Sequence, residues 1–408
     1  SFPTRRSSDL RIDLERLRLV CQTLIPTEIR EHLFYNLKKL SKLKVMALRP
    51  TFCFTTKWNT ETKLFSSFQK IKSLRGGFRN AEDMIFYIEN AQRLKELENL
   101  TFFFGFAPTN KCFDQLACIQ KLQSLEVTFK NEDFKGWSFI QNFAFPVIGL
   151  GLRYLSINFM GVLYDELFLL ELSDAIGVFH NLTYFTLAIA DPSCHVSGEF
   201  FKRLGQGLAQ SSSLQSLSLS YVSVYTEDSH YLFEGIAKMK NLISLILSIS
   251  LEEEAAEPLG ACLAQMQVSQ LDIALNPYIV SDGKQHYPTY YVTPSMLKSV
   301  IEGIKKIKTL QHLNFQLGYT KAFTKKDDST AISEMILGLE NVMILNIFIE
   351  GKYLNKTELK SIYDNIQTLK DLKSFELRGH KGNIVSNALE GLVKLFKNLK
   401  MSININLT

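Results

Sequence analysis

The chain has 408 residues, 46% of them apolar and 21% charged, with a net charge of +5. These values fit an ordinary water-soluble folded chain; no apolar run reaches the roughly 18 residues of a membrane span, and so small a charge does not mark a nucleic-acid surface, whose basic residues gather on one stripe. Six cysteines, at 21, 53, 112, 118, 194 and 262, form no CxxC pair, which speaks against a zinc knuckle or a disulfide framework and reads as reduced, mostly buried thiols in a cytoplasmic protein.

Taken from the start, Ser1 to Asp9 (SFPTRRSSD) fit no pattern found later. They resemble translated adaptor sequence and are set aside from the fold as a tail, residues 1–9. From residue 10 to 408 a short apolar motif, Φ-x-x-Leu-x-x-Φ-x-Φ-x-Φ, returns about every 30 residues. Its clearest copies are Ile119-Leu122-Leu125-Val127-Phe129, Phe179-Leu182-Phe185-Leu187-Ile189, Met239-Leu242-Leu245-Leu247-Ile249, Ile307-Leu310-Leu313-Phe315-Leu317 and Leu339-Val342-Leu345-Ile347-Ile349. Length alone would allow two or three domains, but no linker or composition shift interrupts the repeat, so a single solenoid is expected.

The end of each copy alternates apolar and polar residues, as a strand with one buried face does. The stretch between strands has helical spacing: Leu297, Val300, Ile301, Ile304 and Ile307 make one stripe, as do Leu359, Ile362, Ile366 and Leu369, and Leu389, Leu392, Val393, Phe396 and Leu399. Each unit is thus a short strand, a loop and an amphipathic helix, and stacking buries every helix stripe on the strands beside it. The leading inward residue of each strand is read as Leu17, Met46, Gly77, Leu100, Leu125, Leu155, Phe185, Leu217, Leu245, Leu271, Leu313, Leu345, Phe375 and roughly Ser402, about fourteen strands in all. The Gly76-Gly77 copy is degenerate, and the last copy slips so that Met401, Ile403, Ile405 and Leu407 face inward. Leu217, Leu245 and Leu313 are expected to be fully buried. Phe102, Phe104, Phe129, Phe159 and Phe315 occupy inward positions, so the 30 phenylalanines read as core filling.

These features resemble leucine-rich repeat proteins of the ribonuclease-inhibitor-like subclass, which carry a helix in each repeat of about 28 residues. The stretch Phe200–Leu219, FFKRLGQGLAQSSSLQSLSL, is the nearest match, similar to degenerate repeats common in protist and ciliate proteins. The family's Asn or Cys shortly after the strand is replaced here by mixed residues such as Val222, Gly318 and Gly379. The resemblance implies an α/β solenoid, a horseshoe or arc with parallel strands on its concave side and helices on its convex side. It also implies a non-enzymatic scaffold that binds a protein or peptide on the concave face and rim loops. Two other roles stay open: a regulatory or targeting region of a larger protein whose catalytic domain, such as a kinase, lies elsewhere; and activation of small GTPases, for which Arg49, Arg153 and Arg378 lie near strand ends.

No catalytic or cofactor motif emerges. There is no P-loop, HExxH, GxSxG, HRD or DFG; Gly205-Gln206-Gly207 falls in a helix pattern, Gly149-Leu150-Gly151 completes no dinucleotide fingerprint, and Cys194-His195 has no second ligand pair. Lysine clusters such as Lys305-Lys306-Lys308 read as a solvated helix face. The Asn-Leu-Thr tripeptides at Asn99, Asn181 and Asn406 follow from the repeat itself. No cofactor, metal or nucleic-acid partner is therefore expected.

Two places remain for a partner. From the copy at Leu100 to that at Phe375, outward strand positions number thirty; seventeen are Ser, Thr, Asn or Gln and only Glu126, Asp272, Glu376 and Arg378 are charged. Such a face fits either a solvated sheet or a hydrogen-bonding surface, with Ser218, Ser244, Asn314, Gln316 and Asn346 as candidate contacts. The longest step, from Leu271 to Leu313, holds an insertion at 276–294 that carries Tyr278, His286, Tyr287, Tyr290 and Tyr291. Its tyrosines either pack back on the solenoid or offer a binding element on the rim. The strand-like run from Met401 to Thr408, with no helix after it, together with the adaptor-like start, leads to the expectation that the chain is a fragment prone to self-association.

Overall fold

The structure is a computed structural model. It describes residues 16–19, 36, 43–48, 70–78, 81–104, 115–130, 151–160, 166–190, 196–224, 228–275, 279–281, 284–286, 292–318, 330–349, 356–379 and 402–407. The tail at 1–9 and the helical stripe at 389–399 lie outside these residues. The chain divides into two compact units, Ser1–Tyr154 and Leu155–Thr408.

In the first unit, β1 (Arg16–Leu19), β2 (Val45–Leu48), β3 (Ser73–Phe78), β4 (Asn99–Phe104) and β5 (Ser124–Lys130) lie side by side in chain order, all parallel. Helix α1 (Ala81–Ala91) connects β3 to β4. Among the described residues, a single 3-10 turn, Gln115–Cys118, stands between β4 and β5. The register Leu17–Met46–Leu74–Leu100–Leu125 runs straight across these strands. It corrects one expectation: the leading residue of the third copy is Leu74 and not Gly77. Gly76 is the next inward residue, and the Tyr87 ring of α1 fills the room it leaves, since a Cβ on Gly76 would stand 2.9 Å from the Phe78 ring and 3.0 Å from Tyr87. Around that point Phe78, Tyr87, Phe102, Phe104 and Phe129 form a continuous run of rings, with centroids 4.9 Å apart for Phe78–Tyr87 and 5.2 Å for the stacked Phe104–Phe129 pair. All five are at most 2% exposed, and burial raises the Tyr87 phenol well above its usual pKa.

The second unit repeats the same step more regularly. Its elements are β6 (Tyr154–Met160, entering the unit at Leu155), α2 (Glu166–Ile176), β7 (Tyr184–Ala190), α3 (Gly198–Gln210), β8 (Ser216–Val224), α4 (Ser229–Ala237), β9 (Ser244–Leu251), α5 (Glu253–Gln265), β10 (Gln270–Leu275), a hairpin of β11 (Ile279–Ser281) and β12 (Lys284–His286), α6 (Pro294–Lys305), β13 (His312–Leu317), α7 (Thr330–Leu337), β14 (Ile344–Ile349), α8 (Lys356–Ile366), β15 (Ser374–Gly379) and β16 (Ser402–Leu407). Apart from the antiparallel hairpin, the strands pair parallel in chain order. Phe185, Leu217, Leu245, Leu271, Leu313, Leu345 and Phe375 share one register line as expected. The last copy joins that line at Ile403 and not at Ser402. Among the described residues, fourteen strands lead copies, and in the second unit most of them alternate with helices.

The alternation seen in the sequence fixes which face is buried. Leu217 and Leu245 are 0% exposed and Leu313 1%; burying each such side chain stabilises the fold by about 1.5–3 kcal/mol. The helix stripes of Leu297 to Ile307 and of Leu359 to Leu369 are buried as well. Two polar devices tie one copy to the next. First, the backbone carbonyl two residues ahead of a leading residue accepts two successive N–H groups from the following copy. Thr183 receives Gln215 and Ser216, Gln215 receives Ile243 and Ser244, Ile243 receives Ser269 and Gln270, and the series continues through Ser269, Gln311 and Met343. Second, a polar side chain just before the motif leucine donates back to a carbonyl of the previous copy: Ser213 to Leu182 (2.8 Å), Asn241 to Ser212 (2.7 Å), Thr309 to Val268 (2.9 Å) and Asn341 to Lys308 (2.8 Å). Both devices link the copies ahead of the strand.

The helices of the second unit approach one another through glycine. A Cβ on Gly235 of α4 would clash with the Gly205 carbonyl oxygen of α3, and one on Gly303 of α6 with the Gly260 carbonyl of α5; Gly207 meets the Ser173 backbone of α2 in the same way. Gly205-Gln206-Gly207 is therefore a packing surface within a helix. Helix entry is set by local caps: Ser197 accepts from the Phe200 N–H at 3.3 Å, and Thr293 accepts from the Met296 N–H at 3.3 Å just ahead of Pro294. Thr293 and Pro294 thus form the start of α6. Among the described residues, no helix is long and apolar enough to cross a membrane.

Candidate functional site

The side of the sheet opposite the helices is built by the residues between the inward ones. In β4, β13 and β14 the outward residues are half-exposed while those between them are buried. Parallel pairing sets these outward residues in rows. The middle row of the second unit reads Thr186, Ser218, Ile246, Asp272, Asn314, Asn346 and Glu376. One flanking row reads Tyr184, Ser216, Ser244, Gln270, His312, Ile344 and Ser374; the other reads Ala188, Ser220, Ser248, Ala274, Gln316, Phe348 and Arg378.

Of the residues singled out in the sequence, Ser218, Asn314 and Asn346 come together in the middle row, while Ser244 and Gln316 fall on its two flanks. Ser244, Asn314, Gln316 and Asn346 are half-exposed. Ser218 is 9% exposed, its small side chain lying at the floor between Thr186 and Ile246. In the insertion, Ile279–Ser281 and Lys284–His286 pair antiparallel as β11 and β12, with His286 opposite Ile279. Tyr278, Tyr287, Tyr290 and Tyr291 lie outside the described residues.

Sequence reading missed how the charges of this face are arranged. Asp272, half-buried in the middle row, accepts a hydrogen bond from Asn314 Nδ2 at 2.9 Å across the β10–β13 pair. Burial pushes its carboxyl pKa above the ordinary value, and the Asn314 bond offsets part of that rise. Glu376, three strands along, is held by Arg378, which reaches it with two bonds: Nε to Oε1 at 2.9 Å and Nη2 to Oε2 at 3.0 Å. Glu376 in turn holds the Arg378 guanidinium firmly in its charged form. No signal in the sequence points to the Asp272–Asn314 pair, because the two residues are 42 positions apart and meet only through strand register.

Of the arginines considered for nucleotide chemistry, Arg378 is thus engaged with Glu376, Arg153 precedes β6 by one residue, and Arg49 lies outside the described residues. In the first unit, the outward line Arg75–Thr101–Glu126 carries a hydroxyl bond from Thr101 to Glu126 at 3.2 Å, and the Arg75 guanidinium lies over the Phe103 ring at 4.5 Å. Cys118 is exposed and Cys262 buried, both as free thiols; burial pushes the Cys262 pKa up to about 12. Among the described residues, no group of three or more His, Cys, Asp or Glu is placed to hold a metal ion.

No protein-family model matches the sequence, nor does any curated protein. Solved structures show similar chain courses at low identity. An internalin from Listeria monocytogenes has a TM-score of 0.43 at 15% identity, over 96% of this chain and 86% of that one. A yeast complex of Rad7 and Elc1 gives 0.46 at 10%, over 93% and 88%. The leucine-rich repeat-containing protein LegL7 from Legionella pneumophila gives 0.41 at 14%, over 86% and 97%.

Proposed function

We propose that this chain is a non-enzymatic interaction scaffold that takes a protein or peptide on the outward face of its strands. The observation that carries the reading is the face itself: outward rows rich in hydroxyl and amide side chains, half-exposed, on strands whose other side is fully buried. Such a face offers donors and acceptors that need no reorganisation on binding, because the backbone beneath is held by the core. Few charges on the face favour a polypeptide over a nucleic acid, which would want a continuous basic stripe.

The reading extends to the ribonuclease-inhibitor-like subclass, supported by one helix between most successive strands of the second unit, and to a cytoplasmic setting, supported by the free thiols Cys118 and Cys262. The β11–β12 hairpin, with His286 and the tyrosines at 278, 287, 290 and 291, is proposed as a second contact element beside this face.

The test replaces Ser244, Ser248 and Asn346 together by Arg and compares partner capture from a native extract with that of the unaltered chain. Loss of the captured partner with unchanged thermal unfolding supports the face. Capture of the same partner at the same level by the triple variant would move the binding site elsewhere.

A further inference from the structure

The charges of the outward face are resolved in two different ways. Glu376 has its counter-ion on its own strand, in the forked contact with Arg378. Asp272 does not. It sits in the middle row with Ile246 on one side and Asn314 on the other, and Gln270 and the buried Ala274 flank it along its own strand. On the neighbouring strands its diagonal neighbours are Ser244 and Ser248 on β9 and His312 and Gln316 on β13. Among the described residues no Lys or Arg pairs with it; its polar partner there is the Asn314 amide. An ionised carboxylate held half-buried beside an isoleucine, without a cation, costs the fold stability. The Asn314 bond orients that carboxylate but brings no positive charge. One position further along the row, Asn346 presents two N–H donors and a carbonyl acceptor and engages no described residue. A free carboxamide of this kind matches the donor and acceptor of one peptide unit.

Resting on the scaffold reading above, we propose that the face between β9 and β14 receives an extended polypeptide segment whose Lys or Arg side chain pairs with Asp272 while Asn346 bonds its backbone. Asn314 is a positioning residue, fixing the carboxylate that receives the cation. Strands repeat at about 4.8 Å, so Asp272 and Asn346, two strands apart, are separated by roughly 10 Å at the backbone. That spacing is about three residues of extended chain at 3.3 Å each, so one short segment crossing the strands reaches both. A partner cation replaces the missing counter-ion, so the stability lost to Asp272 in the free chain returns on binding.

The experiment presents the full chain with two arrays of N-acetylated, C-amidated nonapeptides. One array centres on Lys or Arg and the other carries norleucine or citrulline at the same position. The expected result is capture from the charged array alone. The best captured peptide then loses on the order of tenfold to a hundredfold in affinity on Asp272→Asn, with a melting temperature equal to or above that of the unaltered chain. Asn346→Ala also lowers the affinity of that charged peptide, while the uncharged array still goes uncaptured.

Equal capture of both arrays, no capture from either, or undiminished binding by D272N would each overturn the assignment. So would a D272N variant that melts well below the unaltered chain while binding as before, which would make Asp272 a purely structural link to Asn314. Charge-blind capture that the Ser244, Ser248 and Asn346 triple variant abolishes would leave the scaffold reading standing and remove only this one.

Discussion

Behind strands β3 to β5 the first unit packs Phe78, Tyr87, Phe102, Phe104 and Phe129, ring against ring. Behind β7 to β13 the second unit brings helix backbones together at Gly205 and Gly235 and at Gly260 and Gly303. Both solutions must fill the same kind of space, the layer that covers the buried side of a parallel sheet. Where one helix and a 3-10 turn are described, large side chains supply the volume. Where helices follow one another at every step, side chains at the contacts are reduced to nothing so that the helices can approach. The two regions therefore have opposite tolerances. At these contacts the first is sensitive to loss of volume and the second to gain of it.

The largest effect expected from this contrast is at Phe102. Replacing it by Ala should cost about 3–5 kcal/mol, seen in chemical denaturation as a lower midpoint. Hydrogen exchange should show the loss of protection mainly in β3 to β5; an equal loss throughout the second unit would mean that the chain unfolds as one cooperative body. Next comes Gly235→Ala. Helix propensity alone would stabilise it by up to about 1 kcal/mol, yet the clash with the Gly205 carbonyl should make it destabilising by about 1–3 kcal/mol. A neutral or stabilised G235A in a thermal melt would show that α3 and α4 separate freely.

A smaller effect tests the links between copies. Asn241→Ala and Asn341→Ala each remove one side-chain bond to the previous copy and should cost about 1 kcal/mol apiece. They are far enough apart to be additive in the double variant, which chemical denaturation can check. The smallest concerns Asp272. Its folded pKa is raised by burial, so the fold favours the protonated form. Stability from this group is fully present below the ordinary carboxylate range and is lost as pH rises from that range through the raised value. Melting curves across that window should fall slightly more steeply with pH for the unaltered chain than for D272N; parallel curves would mean that Asp272 is as well solvated folded as unfolded.

Much of the fold was legible because inward strand residues are apolar and recur in step. The register line Leu100–Leu125 in the first unit and the line from Phe185 to Phe375 in the second follow from that pattern. In the third copy Ile71 and Leu74 are spaced three apart, as the pre-strand pair is in other copies, so the pattern points to Gly77 where the strand register puts Leu74. What settles the register is Tyr87, a residue on the following helix whose ring replaces the side chain missing at Gly76. No local pattern shows such a compensation. The paired carbonyls ahead of each strand were invisible for a different reason, since backbone groups leave no mark on side-chain identity. The glycine contacts did leave one: Gly207, Gly235 and Gly303 each stand ten residues before the leading leucines 217, 245 and 313. That recurrence is a readable sign of close helix approach. On the outward face, the polar rows followed from alternation alone. The contrast between the paired Glu376 and the unpaired Asp272 did not, because it depends on which strands become neighbours.

The glycine contacts also bear on whether the copies of the second unit are interchangeable. Solenoids are commonly treated as strings of equivalent modules, open to duplication, deletion and shuffling. Here the surface that α3 shows to α4 is bare backbone at Gly205, and it is complementary only to a neighbour that is equally bare at the matching place. A copy whose helix carried a side chain there could not take the position of α4, however well its strand fitted the sheet. The order of copies in this stretch is thus written into pairwise shape, and inserting or deleting a copy requires helix neighbours that match on both sides.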